Sequence, residues 1–281
     1  KAMEEKSILI TGCSSGIGIC VAEGLLKRGY RVFATARKHE DVEALLNKGM
    51  ESFQLDLDDS ISIKGAVHEV LNKTEGKLFA LFNNGGFGQP GAVEDLRRDV
   101  LREQFETNVF GYLELTNLIL PTMRKQGYGR IIQNSSILGF ISLPFRGAYT
   151  ASKHALEGLS DTLRMELKGT DIFVSIIEPG PIEAKFRQNA YAKYKENIDA
   201  RSSHFRKQYE AMEERLTKET APLPFTLPAT AVLEKVLRAL ESSKPKARYY
   251  VTTPTYIFAG LKRLLPGFLL EKLLITAGTR G

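Results

Sequence analysis

The sequence predicts an α/β fold, a doubly wound parallel sheet flanked by helices within one domain. Three observations carry the prediction. Short apolar runs alternate with longer helix-periodic stretches from residue 7 to about 180. Those runs are continuously apolar rather than alternating, as strands covered on both faces must be. A glycine-rich turn, Gly12 to Gly18, joins the first run to the first helical stretch. Strand–helix–strand order of this kind closes through right-handed crossovers.

Ser7 to Thr11 reads as the first strand and Gly16 to Arg28 as the first helix, stopped by Gly29. Arg31 to Ala36 is the second strand. Ser52 to Leu55, Leu78 to Phe82, Arg130 to Asn134 and Ile172 to Ile177 supply four more. Helical patterns lie between them at 39–48, 60–74, 98–126 and 148–168. After Pro179-Gly180-Pro181 the rhythm changes. Residues 185–228 are polar, rich in Lys, Glu, Gln and Tyr, and end in a proline-punctuated run. They predict a helical insert over one face of the sheet, followed by an extended return. Ala229 to Leu240 is again helix-periodic, and Arg248 to Thr252 reads as a last strand. Ligands bind at the carboxyl ends of such strands, so the insert is expected to govern substrate choice.

Composition narrows the class. With 43% hydrophobic and 26% charged residues among 281, the chain is globular rather than disordered or fibrous. Two cysteines cannot build a disulfide framework, which points to a reducing compartment and a cytoplasmic protein. No run reaches the roughly 18 apolar residues of a membrane span. Ile8-Leu9-Ile10 is too short for a secretory signal. From Lys185 onward 18 basic side chains face 9 acidic ones, so the net charge of +6 arises in the C-terminal third. The bases are scattered among acids rather than clustered with aromatics. That excludes nucleic acid as the expected partner and favours anionic substrates or lipid head groups.

In Thr11-Gly12-Cys13-Ser14-Ser15-Gly16-Ile17-Gly18, glycines let the backbone turn tightly and approach a diphosphate. The helix N-terminus behind them offers free N–H groups to an anion. An ordinary glycine-rich turn is the plainer alternative. Cys13 reads as a small filler. The second strand ends in Ala36-Arg37-Lys38, where an NAD site would place an acid for the ribose 2′-hydroxyl. A guanidinium there suits the 2′-phosphate of NADP instead, unless Arg37 and Lys38 merely finish an exposed strand. Asp56, just past the third strand, is placed to accept from an adenine amino group.

Tyr149 and Lys153 stand four apart at the start of a helix and share a face. An ammonium beside a phenol is expected to lower its pKa from about 10. The spacing is cheap, since Tyr191 and Lys195 repeat it, but only Tyr149 has Ser136 thirteen residues upstream at a strand end. Ser136 is placed to donate to a carbonyl oxygen, and Asn108 to hold a relay water.

Thr11-Gly-xxx-Gly-x-Gly18, Asn83-Asn84-Gly85-Gly86, Asn108, Asn134-Ser135-Ser136, Tyr149-xxx-Lys153 and Pro179-Gly180 together resemble the short-chain dehydrogenase/reductase family, in its order and spacing. The resemblance implies a Rossmann-type sheet of seven parallel strands ordered 3-2-1-4-5-6-7. It implies Tyr149 as general acid/base, Lys153 on the nicotinamide ribose, Ser136 orienting the carbonyl and Asn108 ordering a water. Implied cofactor contacts come from Gly12, Ser14, Ser15, Gly16, Ile17, Gly18, Asp56, Leu57, Asn83, Asn84, Gly85, Tyr149, Lys153, Pro179, Gly180 and Ile182. Arg37 and Lys38 select NADP(H) among the nicotinamides. The family's NNAG is Asn83-Asn84-Gly85-Gly86 here, a missing methyl expected to matter little. Its PGxxxT ends in Ala184, costing a hydrogen bond of about 1 kcal/mol.

Details of the loop and of Lys262-Arg263-Leu264-Leu265-Pro266-Gly267 resemble bacterial NADP-dependent aldehyde reductases and retinol and 17β-hydroxysteroid dehydrogenases. A lipophilic aldehyde or ketone and its alcohol are therefore the expected substrates. A steroid or retinol dehydrogenase, or a non-catalytic NADP-sensing protein, is the alternative. The expected organisation is an N-terminal tag or arm (1–6), a Rossmann-type catalytic domain (7–254, insert 185–228) and an apolar basic tail (255–281). The tail predicts two short helices packing over the substrate mouth or a second subunit, in preference to lying on a membrane. Homo-oligomers are common in the family. Phe87, Phe140, Leu143, Pro144 and Phe145 are candidate pocket residues. His154, one residue past Lys153, points off the shared face and reads as a helix-surface histidine rather than a catalytic one; His39, His68 and His204 lack ligand spacing, and no metal is expected.

Overall fold

Continuous apolar strands force the sheet to be covered on both sides, and the chain does so with helices. The computed structural model describes residues 6–183, 185–217 and 224–280. Its strands are β1 (Ser7–Ile10), β2 (Arg31–Ala36), β3 (Glu51–Gln54), β4 (Ala80–Asn83), β5 (Tyr128–Asn134), β6 (Asp171–Glu178) and β7 (Arg248–Tyr250). They form one parallel sheet in the order 3-2-1-4-5-6-7. The order reverses between β1 and β4, which opens a crevice at their carboxyl ends.

Alternate residues of each strand feed opposite cores. Ile8 and Ile10 pack with Val21 and Leu25 of α1 (Gly16–Lys27) and with Val232 and Val236 of α9 (Thr230–Glu241). Leu9 and Phe33 face α3 (Ser60–Lys73) and α5 (Tyr112–Gln126) through Ile63, Leu115 and Ile119. Each such side chain, fully buried, contributes about 1.5–3 kcal/mol. The small helix α2 (His39–Asn47) leads from β2 to β3, and α6 (Gly147–Glu166) from β5 to β6.

The single helix expected over 98–126 is in fact two. Between α4 (Arg98–Phe105) and α5, residues Glu106–Gly111 widen into a π-helical turn. Apolar periodicity does not register one extra residue in a turn, so the sequence hides it. The side chain of Asn108 within the turn exchanges hydrogen bonds with the Phe87 backbone in both directions (3.0 and 3.3 Å). Widened turns of this kind occur often at functional sites.

The insert forms α7 (Phe186–Asn197) and α8 (Arg206–Thr217), with a small core of Tyr194, Ile198, Tyr209 and Met212 closing on Ala92. Tyr209 Oη donates to Asp95 Oδ2 (2.7 Å) and accepts from the Ala92 N–H (2.7 Å). Asn197 Nδ2 donates to Gln89 Oε1 (2.8 Å). The insert is thus pinned to the loop after β4. On its return Leu227 pairs with Ile182.

The tail forms α10 (Thr253–Leu264) and α11 (Gly267–Arg280). Leu270 and Leu274 pack with Leu138, Ile141, Phe258 and Tyr149, and Lys262 Nζ donates to the Phe140 carbonyl. The inner face of the tail therefore packs on protein, while Leu264, Phe268, Leu273 and Ile275 are exposed. Among the described residues no helix is long and apolar enough to cross a membrane.

Candidate active site

The glycine loop is shaped by close approach. Gly12 has φ +70°, and a Cβ there would lie 2.9 Å from Gly85 N and overlap Gly85 Cα. A Cβ on Gly18 would overlap the Gly12 carbonyl oxygen and sit 2.8 Å from Asn84 Nδ2. Ser15 caps α1 with extended backbone and no side-chain bond, so the first-turn N–H groups face outward beside exposed Ser14. Gly16 and Ile17 continue that turn. The cradle fits a diphosphate: it is narrow, Cβ-free and backed by a helix N-terminus. Burial pushes the Cys13 thiol up to about 12, as a packing residue requires.

From the loop a chain of hydrogen bonds runs to α6. Thr11 Oγ1 accepts from the N–H groups of Asn84 and Gly85 (both 2.9 Å). Asn84 Nδ2 donates to the carbonyls of Thr11 (3.1 Å) and Gly12 (3.2 Å), and Asn134 Nδ2 donates to Asn84 Oδ1 (2.9 Å). Lys153 Nζ then donates to the Asn134 carbonyl (2.7 Å). Three strand ends and the start of α6 are locked together, placing the anion cradle and the lysine in one crevice.

Tyr149 packs, half-buried, against the apolar cluster of Leu138, Ile141, Leu143 and Leu274, with the Phe186 ring 5.4 Å from its own. Ser136 lies beside it and draws its pKa down, while Ser136 Oγ accepts from the Leu138 N–H (3.1 Å). Lys153 Nζ lies 5.6 Å from the Tyr149 ring centroid. The expected lowering of the phenol is not found. Burial pushes Tyr149 up to about 12, against the downward pull of Ser136. Burial also draws Lys153 down to about 7, against the attraction of Glu157 one turn on. Desolvation is the larger influence on both groups. A phenol so raised is protonated at neutral pH and can give a proton to a carbonyl oxygen. Asn108 is fully buried one layer back, its Nδ2 3.2 Å from Ser152 Oγ.

The remaining positions divide. Arg37 and Lys38 are exposed at the end of β2 with no acid on that strand end. Asp56 accepts from the Asp58 N–H (3.0 Å), so one carboxylate oxygen serves its own turn. Leu57 is buried and would touch a Cβ on Gly85 at 3.1 Å, so it wedges the loop. The Asn83 amide is spent inside the sheet, donating to Thr116 Oγ1 (3.0 Å) and Gln133 Oε1 (2.9 Å). Its place in the sequence motif reflects support of the loop. Pro179 binds the Ser136 turn through Ile137 N–H (2.8 Å), and Ile182 packs beside the α1 core. Ala184 lies outside the described residues. Buried Thr252 and Thr255 flank Gly180, where a Cβ would lie 3.2 Å from Thr255 Oγ1. They bring two hydroxyls against Gly180, a proximity visible only in three dimensions.

Tyr191 and Lys195 fall in the insert, where Lys195 pairs with Glu213 (3.3 Å) and Tyr191 stacks on Tyr194. Phe145 joins the insert core, edge-on to Phe205 and Tyr209. His154 sits on the helix surface against the Thr150 carbonyl (3.0 Å). No group of three His, Cys, Asp or Glu residues capable of holding a metal occurs among the described residues. Sequence reasoning missed Phe186 and the pair Glu157 and Glu178. Glu157 carries a signal in retrospect, one turn beyond Lys153.

The family model for short chain dehydrogenase matches residues 6–195. The chain is 43% identical over 270 residues to the uncharacterized oxidoreductase YbbO of Escherichia coli K12, covering 96% of this chain and 94% of that one. It is 34% identical over 265 residues to human 17-beta-hydroxysteroid dehydrogenase type 1 (89% and 78% covered). It is 33% identical over 274 residues to the NADPH-dependent 3-dehydrocapnine reductase of Ornithobacterium rhinotracheale (94% of each). With the sheet order and the glycine cradle already in view, these matches mean that the chain belongs to the short chain dehydrogenase family of NAD(P)-dependent oxidoreductases.

Proposed function

We propose that this chain is an NADPH-dependent reductase of lipophilic aldehydes or ketones, working through Tyr149, Ser136, Lys153 and Asn108. The observation that carries the reading is the setting of Tyr149: a protonated phenol packed against Leu138, Ile141, Leu143, Phe186 and Leu274, with Ser136 beside it. An apolar wall with few polar groups selects an apolar substrate and fixes its one polar atom.

Ser136 and Tyr149 both direct hydroxyls at the carbonyl oxygen, and Tyr149 gives it the proton. Reduced nicotinamide, when bound, supplies the hydride. Lys153, tied to the Asn134 carbonyl, holds the ribose side of that site, and its charge assists the phenol. Asn108 and Ser152 support the helix start that carries both. The diphosphate rests on Gly12 to Gly18, and Arg37 with Lys38 take the 2′-phosphate. The NADPH-dependent relative supports that choice, as do the basic residues at the end of β2. The protonated phenol is the form that carbonyl reduction requires. In this reading α11 is part of the catalytic unit, a cover over the substrate pocket.

The test is cofactor oxidation with a panel of long-chain aldehydes, retinal and keto-steroids, run with NADPH and NADH, and repeated with Arg37→Ala. A charge-assisted hydrogen bond contributes about 1.5–3 kcal/mol, so the variant should lose roughly tenfold to a hundredfold in NADPH affinity and little for NADH. Equal use of both cofactors by the wild type would overturn the NADP assignment. NADPH binding without turnover of any compound would favour the sensing alternative.

A further inference from the structure

Beneath the catalytic loop lies a carboxyl pair that the proposed chemistry does not use. Glu178 ends β6 directly before Pro179-Gly180 and is fully buried, and Glu157 on α6 is 5% exposed. The two carboxyls meet at one guanidinium, Arg248, and the Glu157 charge raises the Glu178 carboxyl. Ser135 Oγ donates to Glu157 Oε1 (2.7 Å), which ties the residue before Ser136 to the turn after Lys153. A Cβ on Gly139 would overlap that same oxygen, so the Ser136–Gly139 turn rests on the Glu157 carboxyl.

One guanidinium serves both acids and a third. Arg248 of β7 reaches Glu178 Oε1 (3.2 Å), Glu157 Oε2 (3.3 Å) and Asp161 Oδ2 (2.7 Å). Asp161 is held further by Arg164 (2.8 Å). Lys153, on the same helix, is the other cation that Glu157 faces, and it is committed to the Asn134 carbonyl. Glu178 Oε2 has no donor of its own among the described residues. Two buried carboxylates that share one guanidinium, one of them with an oxygen left without a donor, favour keeping a proton between them over ionising both.

We propose that Glu157 and Glu178 share one proton at neutral pH and act as positioning residues, fixing the Ser136 turn, the Lys153 helix and the Pro179-Gly180 strand end in one arrangement. Burial and the adjoining Glu157 carboxyl both hold Glu178 well above the usual carboxylate range, in agreement with the geometry. The catalytic consequence rests on the reductase reading, while the shared proton does not.

The experiment uses the full chain with Glu178→Gln, an isostere whose amide replaces the proton, and Glu178→Ala, which removes the partner. Melting temperatures are followed from pH 5 to 9, and reduction of decanal by NADPH is resolved into kcat and KM. A carboxyl raised in the fold binds its proton more tightly there than in the unfolded chain. Wild-type stability therefore falls relative to Glu178→Gln as pH rises across that range. A melting-temperature difference independent of pH would overturn the shared proton. Glu178→Ala should lose at least about tenfold in kcat with KM within about threefold, and Glu178→Gln should recover kcat to within about threefold of wild type. An alanine variant with unchanged kcat, or a glutamine variant as impaired as alanine, would overturn the positioning role. Should the alanine variant not fold, the glutamine melting series still decides. Wild-type protein inert toward decanal would count against the reductase reading, and the melting series alone would then judge the pair.

Discussion

Exchanging single glycines for alanine separates the two walls of the anion cradle. Gly12 sits at φ +70°, and an added Cβ would overlap Gly85 Cα, a backbone atom that cannot swing aside. The left-handed conformation costs a non-glycine residue about 1–2 kcal/mol. Forcing a methyl into a packed site costs about 1–3 kcal/mol more. Gly12→Ala should thus destabilise by roughly 2–5 kcal/mol. Gly85→Ala adds the same methyl across the gap, yet its nearest neighbours are Leu57 Cδ1 at 3.1 Å and Gly12 N at 3.2 Å. A leucine methyl can give by a few tenths of an ångström, and the chain entropy removed from the unfolded state offsets about 0.4–1 kcal/mol. Gly85→Ala should stay within about 1 kcal/mol of wild type and keep NADPH binding. Urea denaturation with NADPH titration measures both. Variants that agree within about 0.5 kcal/mol, or a Gly12→Ala that binds NADPH normally, would refute the close-approach argument.

Two further outcomes follow from the same structure. Lys153 titrates near 7 in the fold and 10.5 is its unperturbed value, so between them the unfolded chain binds the extra proton. Wild-type stability should accordingly rise with pH across that window relative to Lys153→Met, read as the difference between their denaturation midpoints; a constant difference would contradict the burial of the ammonium. Leu274→Ala removes a buried part of the pocket wall and should cost about 2–3 kcal/mol in stability. Its kcat/KM for decanal should fall more than that for butanal, and an equal loss for both would remove α11 from the substrate site.

How much was legible in advance follows physical lines. Strand and helix order could be read because buried parallel strands must be apolar throughout and their covering helices must be periodic. The cradle could be read because only glycine permits the contacts at Gly12 and Gly18. The π-helical turn at Asn108 could not, since apolar periodicity does not register one extra residue and the bonds Asn108 makes there reach Phe87, twenty-one residues away. The direction of the Tyr149 shift could not be read either. Spacing shows that an ammonium is near, but the cost of dehydrating both groups depends on how α11 and Phe186 enclose them. Asn83 shows the converse: its motif position is plain, while only the sheet reveals that its amide faces Thr116 and Gln133 rather than the crevice.

The central claim is that Tyr149 protonates the carbonyl oxygen in an apolar pocket beside an NADPH site. Tyr149→Phe removes one oxygen and keeps the ring against Phe186 and Leu274. The most direct measurement is single-turnover NADPH oxidation with the best substrate of the panel, alongside NADPH binding, for wild type and this variant. General acid–base catalysis is worth about 10²–10⁴ in rate. We expect a loss of that size with NADPH affinity unchanged within about threefold. Turnover within tenfold of wild type would contradict the account and move the proton source elsewhere in the crevice.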